Sequence, residues 1–374
     1  MHSEFDLFEN TYAGRRVLVT GHTGFKGSWL SLWLKKLGAT VAGYSLPTPT
    51  SPSHFDILLT EKLKDIKNVI GNITDTEFID KAIREFNPEI VFHLAAQPIV
   101  LESYKAPVDT YETNVIGTMK VLDACRKIGT VKAIVCITTD KVYDNKEWFW
   151  GYRENDPLGG YDPYSSSKAC CEIAIASFRN SFFPIGTFGI KHNTLVASAR
   201  AGNVVGGGDW AANRLIPDLV RGAVAGEKAN IRNPLSTRPW QHVLEPLAGY
   251  LLLGAKLLSG KTTFAEAWNF GPNQEGVANV QKIVTEMMKT WKELRVTFDP
   301  DPNAFHEAHL LQLDIAKSRD VLGWVPLWNT KTTFSKVSDW YQSWYKQGVC
   351  RSEEDIRSFV VDARTALDSK GYAI

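Results

Sequence analysis

The sequence predicts an α/β protein: a doubly wound, parallel sheet with helices on both faces, followed by a smaller, discontinuous C-terminal unit. Three observations carry this. Apolar, β-branched runs such as Arg16–Thr20 and Ala133–Ile137 read as strands buried on both faces. They alternate with segments that are apolar at helical spacing, the pattern of successive βαβ units. The alternation stops near residue 200, where Gly206-Gly207-Gly208-Asp209 breaks the regularity. A chain of 374 residues is long enough for one large domain or two intimate ones.

The first strand, Arg16–Thr20, leads into glycines at 21, 24 and 27. Ser28–Leu37 follows, with Trp29, Leu30, Leu32, Trp33, Leu34 and Leu37 at helical spacing. Strand, glycine turn and helix together are the context that gives G-x-x-G-x-x-G its meaning. A side chain at Gly21 would obstruct the tight turn. One at Gly24 would hold the backbone off a pyrophosphate, and one at Gly27 would push helix from strand. The helix N-terminus then offers free N–H groups to the anion. This Rossmann-type turn makes Gly21, Thr23, Gly24, Phe25, Lys26 and Gly27 the expected dinucleotide contacts.

The second strand, Thr40–Tyr44, ends in Ser45-Leu46-Pro47. A carboxylate usually stands there to bond the adenosine ribose; here it is missing. Residues 37–61 also hold no Arg or Lys to receive a 2′-phosphate, which favours NAD over NADP. The fourth strand, Ile90–Leu94, ends in Ala95-Ala96-Gln97, and the two alanines let the backbone lie against the cofactor. His93 reads as a packed strand residue. Ala133–Ile137 runs into Thr138-Thr139-Asp140-Lys141. Ligands of such sheets sit at the carboxyl ends of strands, which puts Thr139, Asp140 and Lys141 at the rim of the site.

Asp162-Pro163 reads as a helix start, and the helix continues through Phe178. Tyr164 and Lys168 are four apart and share a face. A free tyrosine, with a pKa near ~10, is a poor base at neutral pH. Bringing it near 7 takes about 4 kcal/mol, at ~1.36 kcal/mol per unit. A lysine one turn away and a nicotinamide cation overhead are the expected sources. A sixth strand follows at Thr194–Arg200, and Arg214-Leu215-Ile216-Pro217 opens another helix. Residues 263–270 read as a strand that returns to the main sheet. The tryptophans at 324, 328, 340 and 344 read as packing. The expected division is a dinucleotide-binding domain, 1–200 with 241–271, and a second domain, 201–240 with 272–374.

The formal net charge of +1 argues against electrostatic attraction to nucleic acid or an anionic membrane. Residues Met1–Asn10 are acidic and polar rather than a signal peptide. The longest apolar stretch, Leu247–Leu258, is too short to span a bilayer and contains Lys256. The five cysteines lack metal-ligand spacing and read as reduced packing residues, as in a cytoplasmic protein. His306-Glu307-Ala308-His309 does not have the H-E-x-x-H spacing, so no metal is expected.

The motifs Thr20–Leu30, His93–Pro98, Thr138–Tyr143, Arg200–Trp210 and Arg238–Pro246 resemble those of the extended short-chain dehydrogenase/reductase superfamily. Within it they are most similar to the dehydratases that act on CDP-glucose, over roughly residues 14–345. Asp140-Lys141 is the sharper signal, since dTDP-glucose dehydratases carry Asp-Glu there and 4-epimerases carry neither. The resemblance implies that Tyr164, with Lys168 and Thr139, takes the proton of the sugar 4-hydroxyl while hydride passes from carbon 4 to NAD. Water then leaves across carbons 5 and 6, with Asp140 as acid, and hydride returns to carbon 6. The implied product is a CDP-linked 4-keto-6-deoxy sugar, a precursor of the dideoxyhexoses of lipopolysaccharide O-antigen. Ala95 and Ala96, with Tyr164 and Lys168, complete the implied cofactor site. Gln97, Asn203, Arg214 and Arg238 are the implied substrate contacts, and Arg232 is a weaker one. The resemblance also implies a homodimer or homotetramer, paired through helices near 113–127 and 163–182.

Two rival readings stay open on sequence. One is a nucleotide-sugar 4-epimerase or reductase, against which Asp140-Lys141 argues. The other is a non-catalytic dinucleotide sensor, against which the retained Tyr164/Lys168 pair argues. Lys141 also leaves two roles open. As the base for the carbon-5 proton it must lose about 4.6 kcal/mol worth of pKa, at ~1.36 kcal/mol per unit, against the pull of Asp140. As an ammonium it would steady a developing enolate.

Overall fold

The computed structural model describes residues 3–231, 233–273, 276–299 and 310–370. The main sheet contains β1 (Arg16–Thr20), β2 (Thr40–Ser45), β3 (Lys67–Ile70), β4 (Ile90–His93), β5 (Ala133–Ile137) and β6 (Leu195–Ala201). Three short strands then lie outside it: β7 (Asn203–Val205), β8 (Lys228–Ile231) and β9 (Thr237–His242). The chain returns with β10 (Ala267–Phe270) before β11 (Val277–Asn279) and β12 (Arg295–Phe298).

The seven-stranded sheet has the order β10-β6-β5-β4-β1-β2-β3, and every neighbouring pair is parallel. The burial of the strands follows their place. β5 and β6 are buried along their whole length, whereas the edge strand β3 keeps Lys67 and Asn68 exposed. Polar residues on an edge are the usual protection against further pairing. The expected return strand of residues 263–270 is β10, which pairs with β6 from Ala267 to Phe270.

Helices cover both faces. They are α1 (Phe25–Lys36), α2 (His54–Leu59), α3 (Thr76–Phe86), α4 (Val100–Lys105), α5 (Pro107–Tyr111) and α6 (Gly117–Ile128). They continue with α7 (Pro163–Phe182), α8 (Leu215–Ala225), α9 (Leu244–Leu258), α10 (Val280–Thr290), α11 (Thr330–Gln347) and α12 (Ser352–Lys370). One core packs α1, α9, α11 and α12 on one face, and a second packs α3, α6 and α7 on the other. The apolar run at 247–258 lies in α9, buried against β5 and β6. No helix among the described residues is long and apolar enough to cross a membrane.

Two helices differ from the sequence expectation in ways that matter to the site. α1 starts at Phe25, so Lys26 and Gly27 lie in its first turn. The helix expected near 113–127 is interrupted: a π-turn at Glu112–Ile116 precedes α6. Such bulges recur at functional sites. α7 starts as expected, with Asp162 accepting from the Ser165 N–H at 2.9 Å and Pro163 at its first position. At the far end of the chain, α12 folds back on α1: Trp33 meets Phe359 edge-on at 5.8 Å, and Lys36 pairs with Glu353 at 2.7 Å. Trp324 and Trp340 are fully buried, in keeping with packing roles.

Candidate active site

The strand order reverses between β1 and β4, since β2 and β3 build outward on one side and β4, β5 and β6 on the other. Ligands of open α/β sheets bind at that switch point, outside the carboxyl ends of the strands. A cavity of about 1540 Å³ opens there, lined by Gly21 after β1, Ala95 and Ala96 after β4, Thr138 and Thr139 after β5, and Gly202 and Asn203 after β6. It exceeds the roughly 300–1,000 Å³ of a pocket for one small ligand, and so has room for a cofactor and a substrate together.

The glycine turn fits a dinucleotide. Gly21 has φ of +76°, and a Cβ on it would fall 2.7 Å from the Ala95 backbone nitrogen. A Cβ on Gly27 would lie 2.1 Å from the Gly21 carbonyl oxygen, so helix and strand meet there as the sequence requires. Gly24 is the open position, with 3.3 Å to its nearest atom, and it lines the cavity at the start of α1. Thr23, Phe25 and Lys26 also line it. Burial pulls the Lys26 amine down to about 7; Arg214, Lys168 and Lys141 repel its charge, and Asp140 opposes them. His22 turns inward instead, its ring occupying the space that a side chain on Gly43 would need.

At the far end of the turn, Ser45 Oγ lies 2.8 Å from Thr23 Oγ1, which donates to the Leu46 carbonyl at 2.9 Å. Ser45, Leu46, Pro47, Pro49, Asn72 and Ile73 line this region, and none of them carries a charge. His93 is a packed strand residue, bonded to Thr20 at 2.7 Å and Thr118 at 2.9 Å.

α7 brings Tyr164 and Lys168 to the cavity wall on one buried face. The Lys168 ammonium donates to the Ile137 carbonyl at 3.1 Å. Tyr164 is hydrogen-bonded to Thr139. Among the protein's own groups, burial pushes the Tyr164 hydroxyl up to about 12; Thr139 and Arg214 pull against it, and Asp140 and Asp162 add to it.

A correction concerns Asp140. Thr139 and Lys141 are on the wall, but the 3₁₀ turn Asp140–Val142 directs Asp140 one layer behind it, where it is 1% exposed. Its Oδ1 accepts from Thr139 Oγ1 at 3.0 Å and faces Lys141 Nζ at 3.4 Å. Its Oδ2 is buried without a hydrogen-bond partner. A Cβ on Gly202, a wall residue, would lie 3.2 Å from Oδ2, so that oxygen sits directly behind the wall at Gly202.

Of the expected substrate contacts, Asn203, Arg214 and Arg238 line the cavity. Asn203 Oδ1 is buried and unpartnered, and Arg214 is held by Asp209 at 3.0 Å. Gln97 does not face the cavity. Its amide is spent on the Thr110 hydroxyl at 3.0 Å and the Ile99 N–H at 2.6 Å, and its backbone is clamped by Asn114 of the π-turn. Arg232 and His306–His309 lie outside the described residues. No group of three or more His, Cys, Asp or Glu side chains placed to hold a metal occurs among the described residues.

A doubly wound sheet, a glycine cradle at its switch point and a buried Tyr/Lys helix beside it define a dinucleotide-binding enzyme fold. The chain belongs to the GDP-mannose 4,6 dehydratase family, whose model matches residues 18–337. It is 50% identical to the CDP-glucose 4,6-dehydratase of Salmonella typhimurium, over 90% of this chain and 93% of that one. It is 26% identical to a dTDP-glucose 4,6-dehydratase of Xanthomonas campestris, over 89% of this chain and 95% of that one. Its fold is shared with an epimerase of Methanothermobacter thermautotrophicus, at a TM-score of 0.78 and 23% identity, covering 95% and 96% of the two chains. It is likewise shared with the dTDP-glucose 4,6-dehydratase of Bacillus anthracis in complex with NAD, at 0.73 and 20%, covering 88% and 97%.

Proposed function

We propose that the protein is an NAD-dependent nucleotide-sugar 4,6-dehydratase that converts CDP-glucose to CDP-4-keto-6-deoxyglucose and water. The carrying observation is the continuous hydrogen-bonded run Tyr164–Thr139–Asp140, with Lys141 paired to the same carboxylate. A 4-epimerase needs a proton-transfer tyrosine only. An elimination also needs an acid for the departing hydroxyl, and Asp140 Oδ2 is a buried oxygen with hydrogen-bonding capacity to spare. The 50% identity to a CDP-glucose 4,6-dehydratase supports the nucleotide.

Gly21, Gly24 and Gly27, the N-terminus of α1, Ala95 and Ala96 are the groups that would hold NAD. When bound, NAD accepts hydride from sugar carbon 4 and gives it back at carbon 6. Tyr164 takes the 4-hydroxyl proton, Thr139 orients its oxygen, and Lys168 fixes the helix to β5. Asp140 is the acid for the leaving 6-hydroxyl. Lys141, on the wall, is an ammonium that steadies the developing enolate and orients a water, which takes the carbon-5 proton. Asn203, Arg214 and Arg238 take the diphosphate, since guanidinium forks and amide donors suit its oxygens.

Residues 1–200 with 241–271 form the dinucleotide-binding domain in this reading, and 201–240 with 272–374 the nucleotide-sugar domain. The enzyme works in the cytoplasm, which the five free cysteines support. It works as a homodimer or homotetramer and supplies dideoxysugars of lipopolysaccharide O-antigen. The test is a panel of CDP-, dTDP-, UDP- and GDP-glucose given to the purified protein with NAD. CDP-glucose alone should yield a product with the alkaline ultraviolet absorbance of a 4-keto-6-deoxy sugar; a 4-epimer without that absorbance contradicts the reading.

A further inference from the structure

The face of α7 that carries Tyr164 and Lys168 continues one turn further to Glu172. This carboxylate is 4% exposed and does not itself line the cavity. Its Oε1 accepts from the Thr138 hydroxyl, at the end of β5. Its Oε2 accepts from the Ser198 hydroxyl at 2.7 Å and the Arg200 guanidinium at 2.9 Å, both on β6. Arg200 is 3% exposed and is fixed in turn by the Tyr143 hydroxyl at 2.7 Å and the Glu154 carbonyl at 2.9 Å. A fully buried charge pair of this kind is retained at a desolvation cost and is weak evidence for stability. Its geometry points elsewhere.

Thr138 immediately precedes Thr139, the hydrogen-bond partner of Tyr164. Two ties therefore run from α7 to the end of β5: Lys168 to the Ile137 carbonyl, and Thr138 to Glu172. Between them they set the depth and rotation of α7 against the strand end, and with it the spacing of Tyr164 and Thr139. We propose that Glu172 is a positioning residue for the proton transfer, acting through Thr138 to hold Thr139 and Tyr164 in register. The inference rests on the dehydratase reading above.

It predicts a loss in kcat rather than in KM, because Glu172 lies off the cavity and the tie acts on the spacing of Tyr164 and Thr139. Misplacing a reacting group by 1 Å costs on the order of 10²-fold. Thr138→Val should lower kcat with CDP-glucose and NAD about 10- to 100-fold and leave KM within about twofold, and Thr138→Ser should restore it. Ser198→Ala removes a bond of the same carboxylate on the β6 side and should leave kcat within about twofold at a similar loss of melting temperature. Glu172→Gln, if it folds, should lower kcat as Thr138→Val does, and adding Thr138→Val to it should cost little more. Equal kcat losses in Thr138→Val and Ser198→Ala, or a wild-type kcat in Thr138→Val, overturn the positioning role alone. A wild-type protein that makes no 4-keto product from CDP-glucose overturns the dehydratase reading and this inference with it.

Discussion

Lys141 Nζ stands 3.4 Å from Asp140 Oδ1, the oxygen that also accepts from Thr139. The pair places a cation on the cavity wall and a carboxylate just behind it. That geometry favours the charged role for Lys141, steadying the enolate that forms when carbon 5 loses its proton. Lys141→Met should therefore impair elimination more than oxidation. The check is deuterium uptake from solvent at carbon 5, followed beside the reduction of NAD. If both fall equally, Lys141 positions substrate instead.

Tyr164→Phe removes the proposed proton acceptor and keeps the ring that packs at the wall. General acid–base groups contribute about 10²–10⁴-fold. Turnover should fall by at least about 10²-fold with the melting temperature little changed. A loss under about tenfold would show that another group takes the proton. Because burial holds the hydroxyl up to about 12 among the protein's own groups, the ionised form is the scarce one. The rate of sugar oxidation should accordingly climb with rising pH on its acid limb, and Tyr164→Phe should lose that limb.

Ser45 ends β2 where a ribose-binding acid is usual, and the surroundings are uncharged. A charge-assisted hydrogen bond is worth roughly 1.5–3 kcal/mol. NAD should bind in preference to NADP, and loosely enough that the purified protein responds to added NAD. Ser45→Asp should tighten NAD about tenfold or more, measured by calorimetric titration. Tighter binding of NADP than NAD, or protein that purifies saturated with cofactor, contradicts this account of the pocket.

Glu245 is fully buried, and desolvation pushes its carboxyl up to about 8 despite the N–H groups of Trp328 and Leu327 that it accepts from. The native state thus keeps a proton that the unfolded chain releases near ~4.3. Between those values the folded form binds more protons, so stability falls as pH rises. Asp355, pushed up to about 7 by burial, adds the same sign over its own narrower window. Denaturant midpoints of the wild type should decline from about pH 5 to about pH 8 more steeply than those of Glu245→Gln. Parallel curves would place Glu245 outside the pH dependence.

Much of this site was legible because its signals are local. Gly21, Gly24 and Gly27 sit between a strand and a helix, Tyr164 and Lys168 lie one turn apart, and strand-ending residues fall where a parallel sheet puts ligands. What was not legible depends on packing between distant segments. Gln97 is turned away because the Thr110 hydroxyl and the Ile99 N–H take its side-chain amide, while Asn114 of the π-turn clamps its backbone. Asp140 is drawn behind the wall by a 3₁₀ turn and by the space left at Gly202. The enclosure that raises the Tyr164 hydroxyl among the protein's own groups is likewise built by distant segments. Glu172 carried a weak signal, four residues past Lys168, but its partners Thr138, Ser198 and Arg200 come from two other strands.

In the proposed reaction one cavity oxidises carbon 4, eliminates water across carbons 5 and 6, and returns the same hydride to carbon 6. The most direct measurement uses CDP-glucose deuterated at carbon 4, with the product analysed by mass spectrometry and NMR. The expected product is a 4-keto-6-deoxy sugar that carries the deuterium on carbon 6. Deuterium back on carbon 4 of an epimerised sugar, or carried away on released NADH, would contradict it.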